Sequence, residues 1–322
     1  MQTKVKNVVS SVLFLLGLLL LLVLVSRFFE PKNNMESYGM EDQRANGILA
    51  EPTESIDVLF IGDSVSYCSV IPVQIWRDYG ITSYMCGTSL QQLYYTKEFL
   101  YKTFETQSPK VVMLEGTPIF NNFMYKENVR NAVERALPVF RYHDRWKDFG
   151  EMSEFETGFK VEYTNLEVTK GYYFSPAIEV VDVTEHVADT DEVAGILEDN
   201  KQTLLEIVDF CEKNGAKLIL YSAPNALTWS PATHNALALL AEELGLTYFD
   251  MNYMTKEVPI DWSNDTFDGG DHVNYYGAQK VTAYLGEYLA QMNLFEDKRG
   301  DAAYQTWDAA QQTFYETVVN LE

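Results

Sequence analysis

The sequence predicts an α/β protein: three layers, α/β/α, built on a doubly wound parallel sheet of five strands. Two observations predict it. Short apolar runs rich in β-branched residues alternate with longer segments of helical period. The runs are five to nine residues long and the helical segments 12 or more, the proportions of βαβ units. The 322 residues are 47% apolar and 14% aromatic, enough to bury a core and too apolar for a disordered chain.

The elements follow in order. Residues 8–25, "VVSSVLFLLGLLLLLVLV", carry no charge over 18 positions, close to the shortest run that spans a bilayer. A cleaved signal peptide and an uncleaved anchor both begin this way. A signal peptide has an apolar core of about 7–15 residues and a small-residue cleavage site. This run is longer, and "SRFFEPK" offers no such site, so residues 1–28 read as a membrane anchor. Lys4 and Lys6 before it are nearly balanced by Arg27 and Lys32 after it. The short leading tail and large following domain favour the domain outside the cytoplasm. Residues 29–54, with Pro31, Gly39, Gly47 and Pro52, read as a linker.

An α/β domain is expected over 55–294. Its strands are 56–62, 81–87, 110–116, 216–224 and 246–252. Its helices are 68–79, 90–104, 192–215, 231–245 and 275–292, two of them stopped by Gly215 and Gly245. Residues 117–191 break the rhythm and read as an inserted, partly helical lid over the strand ends. Residues 295–322 carry an amphipathic helix expected to cap the domain.

Charge and composition narrow the function. A net charge of −23 with no basic stretch among stacking aromatics argues against nucleic acid. No glycine pattern cradles phosphate and no carboxylates cluster for a metal, so no cofactor or metal is expected. Cys68, Cys86 and Cys211 form no ligand motif and read as small buried hydrophobes, with a Cys68–Cys86 bridge left open.

The chemistry sits at two places. In "VLFIGDSVSYC" a strand ends at Gly62, and Asp63 and Ser64 follow at the carboxyl edge, where open parallel sheets bind ligands. Ser64 would open the next helix, its N–H directed at an oxyanion. In "FDGGDHVNYYGAQK", His272 lies after the last strand and before the last helix, which returns it to the same edge. Asp268 or Asp271 would orient its imidazole. Asp268 is better placed if Gly269 and Gly270 turn it back.

"FIGDSVS" and "DGGDHVNYYGA" resemble the first and last blocks of SGNH/GDSL hydrolases, and the resemblance covers about residues 55–118 and 190–292. It implies a flavodoxin-like fold and ester chemistry. Ser64 would be the nucleophile, His272 the base and Asp268 the orienting acid, with Asp271 the alternative. Gly87 in "MCGTSL" fits the second-block glycine and would join the Ser64 N–H in the oxyanion hole. In the third block, "LEGTPIFNN", Pro118 stands where the family has asparagine. Asn121 or Asn122 would serve in its place. The family's Asp-x-x-His is also altered here to Asp-x-x-x-His or Asp-His.

"FRYHDRW", "KGYYFSP" and the N-terminal anchor together resemble the membrane-anchored SGNH-like proteins of Gram-positive bacteria, similar to DltD and the alginate O-acetylation proteins. That implies an acylated cell-envelope glycan as substrate and a multi-pass membrane acyltransferase as a partner. Asp63, Arg141, His143, Arg145, Trp146 and Tyr172 are the expected substrate-binding residues. The competing expectation is a non-catalytic scaffold whose altered third block leaves no working oxyanion hole.

Overall fold

The computed structural model describes residues 2–148, 161–183 and 186–320. The insertion's residues 149–160 and 184–185 lie outside the described residues. The chain divides into two compact units, Met1–Gln43 with Met124–Asn165, and Arg44–Phe123 with Leu166–Glu322.

In the first unit, helix α1 (Gln2–Phe29) has a mean hydropathy of 3.1 over its apolar part, long enough to cross a membrane or serve as a signal sequence. Its carboxyl end meets the helices from the insertion. These are α5 (Tyr125–Ala136) and α6 (Val139–Tyr142), numbered in chain order with the elements below. The Val139 N–H reaches Ser26 Oγ, and the Arg145 guanidinium donates to the Phe29 carbonyl.

The second unit holds the sheet. Strands β1 (Val58–Gly62), β2 (Ser83–Gly87), β3 (Val111–Glu115), β4 (Lys217–Ser222) and β5 (Thr247–Asp250) are all parallel, in the order β2-β1-β3-β4-β5. Reversal of strand order at β1 is what makes a sheet doubly wound. Helices α2 (Ser64–Ser69), α3 (Pro72–Tyr79), α4 (Leu93–Thr103), α7 (Glu198–Lys213), α8 (Pro231–Leu244) and α9 (Tyr275–Gln291) form the outer layers.

Successive strand residues feed opposite cores, since side chains alternate across a strand. Leu59, Ile61, Val112, Leu114, Leu218 and Leu220 pack with Leu100, Ile207 and Leu237 on one face. Val58, Phe60, Val111, Met113 and Ile219 pack with Val281, Leu285 and Leu289 on the other. Both faces are dry, so each strand reads as an unbroken apolar run.

Three expectations change. The second half of the expected linker is part of the fold. Ala45 and Ile48 are buried in the first core, and Glu51 forms a fully buried ion pair with Lys170 at 2.6 Å. The apolar residues of this stretch, Ala45, Ile48, Leu49 and Ala50, are too few to show a period, so the sequence hides this packing. No Cys68–Cys86 bridge forms: both thiols are free, and they belong to the cores on opposite faces of the sheet. The expected helix over 68–79 is two helices, since α2 ends at Ser69 and α3 restarts at Pro72. The tail contributes a helix to the packing. In helix α10 (Gln305–Thr313), Trp307 is buried against Trp76, whose indole donates to Asp308.

Candidate active site

Strand β1 delivers the Gly62-Asp63-Ser64 turn to the carboxyl edge. A side chain at Gly62 would meet Glu115 Cβ and Ser66 Cβ, each at 2.8 Å, so only glycine fits there. Asp63 caps α2 by accepting the Val65 N–H at 3.0 Å. Ser64 is the first residue of α2 and half-buried.

A small antiparallel hairpin supplies the base. Strands β6 (Thr266–Phe267) and β7 (His272–Val273) pair Phe267 with His272. Between them Asp268, Gly269 and Gly270 take φ values of 50°, 73° and 84°. This left-handed run folds Asp268 back on His272, and the two glycines make it cheap. Asp268 Oδ1 accepts the His272 N–H at 3.1 Å, and Oδ2 accepts Nδ1 at 2.7 Å. Asp271 Oδ2 lies 3.8 Å from Nδ1, and its Oδ1 accepts from the Asn225 amide at 3.1 Å. Asp268 is thus the imidazole's hydrogen-bond partner, and Asp271 ties the hairpin to the loop after β4. Phe267 stacks on the imidazole at 5.6 Å.

His272 Nε2 is buried and has no hydrogen-bond partner among the described residues. Helix α2 packs directly against β7, so this bare acceptor belongs to the hairpin that faces the serine helix. With Nδ1 donating to Asp268, Nε2 carries the lone pair a general base needs. The Ser64–Nε2 hydrogen bond itself is unformed, as is common before substrate binds.

Gly87 pairs in register with Gly62, and a Cβ on it would sit 3.0 Å from the Asp63 carbonyl. Asn121 reaches the site but is already engaged. It donates to the Gln91 carbonyl at 2.9 Å and hydrogen-bonds the Asp63 carboxyl. Asn122 is exposed. Asn121 is therefore engaged with Gln91 and Asp63.

Asp63 is buried and serves the turn rather than a ligand. Burial is the first cause raising its proton affinity, opposed by the bonds from Val65 and Asn121. Glu115, buried at the end of β3, is also raised, first by burial and then by the Asp63 charge. Burial and mutual repulsion thus both work against ionising the two carboxyls together behind the Ser64 turn.

Several of these residues carried no sequence signal. Glu115 is one. Asn200 is another: it donates to the Ile119 and Asn121 carbonyls at 3.0 and 2.7 Å and shapes the loop that carries Asn121. Tyr67, Tyr173 and Arg44 form a third group, with the guanidinium 5.1 and 4.8 Å from the two rings.

Tyr172 is 1% exposed and packs on Phe314, so it belongs to the core and cannot stack on a ligand. Arg141, His143, Arg145 and Trp146 belong to the first unit. Arg141 pairs with Glu41, Arg145 is buried, and His143 and Trp146 are exposed.

Fold and site together define a doubly wound α/β protein with a serine and a His–Asp pair at one sheet edge. No family model and no curated protein matches the chain. Among solved structures it is similar to a GDSL-like lipase from Bacteroides thetaiotaomicron, at 13% identity and TM-score 0.39, covering 78% of this chain and 100% of that one. It is similar to a psychrotrophic esterase from Pseudoalteromonas sp., at 10% identity and TM-score 0.39, covering 73% and 98%. An acetyl xylan esterase is similar at 14% identity and TM-score 0.40, covering 73% and 100%.

Proposed function

We propose that the protein is a membrane-anchored serine esterase or O-acyltransferase, acting outside the cytoplasm on acyl esters of a cell-envelope glycan. The observation that carries the ester chemistry is the His272 imidazole, held by Asp268 through Nδ1 at 2.7 Å with Nε2 left bare, on a hairpin packed against the helix that Ser64 opens.

In this mechanism Nε2 takes the Ser64 proton as Oγ attacks the acyl carbonyl. Asp268 stabilises the imidazolium. The Ser64 and Gly87 N–H groups hold the oxyanion, each such donor lowering the barrier by about 2.7–4 kcal/mol. The imidazolium returns its proton to the leaving alcohol, and an acyl-serine remains. Water at the second step gives an esterase. A sugar hydroxyl gives a transferase, with a multi-pass membrane acyltransferase as partner.

Helix α1 supports the membrane reading by its length and hydropathy. Helix α5 exposes an apolar stripe, Tyr125, Val129 and Val133 at i, i+4 and i+8, beside Arg130, which pairs with Glu127 and Glu134.

The test is fluorophosphonate labelling of the full-length protein, with Ser64→Ala and His272→Ala beside it. Labelling lost in the serine variant and much slower in the histidine variant supports the reading. An unlabelled, folded wild-type protein overturns it in favour of a binding scaffold, the reading that the engaged Asn121 amide favours.

A further inference from the structure

A second polar basin lies at the other end of the same edge. It opens beside β5, has a volume of about 550 Å³, and is lined by Asp189, Thr190, Asp191, His234, Asn235 and Tyr253. That size accepts a ligand of a few rings.

Its walls are built. Asp250, the last residue of β5, has a side chain only 2% exposed, and it collects five hydrogen bonds. Oδ2 accepts from Trp229 Nε1, Tyr248 OH and His234 Nδ1 at 2.9, 3.0 and 2.8 Å. His234 is thereby fixed with Nδ1 as donor and Nε2 as acceptor. The Asn235 amide donates to the Thr190 and Glu192 carbonyls, both at 2.8 Å, which pins the acidic loop to α8. Only the Asn235 oxygen is left for a ligand. The Tyr253 ring packs 4.6 Å from the imidazole and is 36% exposed, so it offers an aromatic floor.

The basin is therefore rich in acceptors: two carboxylates, an amide oxygen and an imidazole nitrogen, with hydroxyl donors only at Thr190 and Tyr253. A ligand that fits must bring the donors. Hydroxyl-rich sugars do so, and a sugar ammonium adds a charge-assisted bond to a carboxylate and a cation–π contact to Tyr253. Sugars bearing carboxylate or phosphate are repelled.

Position adds a length. β5 stands three strands from β1, roughly 14 Å at the usual strand spacing. A hydrogen-bonded chain joins the two ends: Asn252 accepts from the Asn225 N–H, and Asn225 donates to Asp271, beside His272.

We infer that this basin is a distal subsite for a neutral or amine-bearing sugar residue of a polymeric substrate whose ester sits at Ser64. The inference rests on the esterase reading for its second half only. The test compares wild type, Tyr253→Ala and the double variant Asp189→Asn/Asp191→Asn, as full-length protein. Turnover is measured on an aryl acetate, an O-acetylated glucosamine oligomer and an O-acetylated galacturonate oligomer. Calorimetry measures binding of the unacylated glucosamine oligomer. The expected result is KM for the glucosamine ester raised about tenfold in both variants, with its kcat and all aryl acetate kinetics unchanged. Calorimetric affinity should fall by the same factor. Equal effects on both esters, no effect on either, or preference for the galacturonate ester would overturn the subsite. If no ester turns over, the esterase reading fails alone, and weakened glucosamine binding in the variants still upholds the basin as a sugar site. Absence of binding by wild type sinks it.

Discussion

Two histidines in this protein are held by aspartates in nearly the same way but in different surroundings. His272 Nδ1 lies 2.7 Å from Asp268, and His234 Nδ1 lies 2.8 Å from Asp250. Asp268 is 39% exposed and reaches its histidine through a four-residue turn. Asp250 is 2% exposed and braced by five donors. His234 of the better-braced pair lines a polar basin whose described lining holds no serine. The looser pair belongs to the hairpin whose strand packs on the helix that Ser64 opens. A His–Asp pair is therefore a way of fixing a tautomer, and its use depends on what Nε2 faces.

That contrast can be broken by experiment. Ser64→Ala or His272→Ala should lower kcat/KM for a small ester by at least about 10⁴-fold, and Asp268→Asn by about 10³–10⁴-fold. His234→Gln should leave the same rate within about twofold. A large loss in His234→Gln would show that the two pairs act as one site.

Stability should invert the order. Asp250→Ala leaves buried donors without an acceptor and should cost about 3–5 kcal/mol in a denaturant titration. Asp268→Ala removes a half-exposed acceptor and should cost under about 1 kcal/mol. Equal costs would mean that the hairpin is a structural keystone as well.

The buried Glu115 carboxyl predicts a pH signature. Burial raises the Glu115 proton affinity above its ordinary value of 4.5. Over the range above that value the native state holds a proton that the unfolded chain has released. Stability must then fall as pH rises through the range. Glu115→Gln keeps an acceptor for the Thr117 N–H, 2.8 Å away, and removes the titration. Its melting temperature should exceed wild type more at about pH 8 than at about pH 5. Asp271→Asn should lower kcat by no more than about tenfold, because Asp271 acts on the Asn225 side of the turn.

The sequence by itself determined the five strands, the order of helices between them, and the two segments that carry Ser64 and His272. These were legible because apolar period and turn chemistry are local properties of a chain. It also narrowed the acid to two candidates three residues apart. Only the tertiary structure chose Asp268, because the choice depends on the left-handed turn at Asp268 through Gly270. Tertiary structure also engaged Asn121, buried Tyr172 and Ile48, put Cys68 and Cys86 on opposite faces, and paired Asp63 with Glu115. Each of those depends on strands distant in sequence becoming neighbours, and pairing of that kind leaves no periodic mark in one sequence.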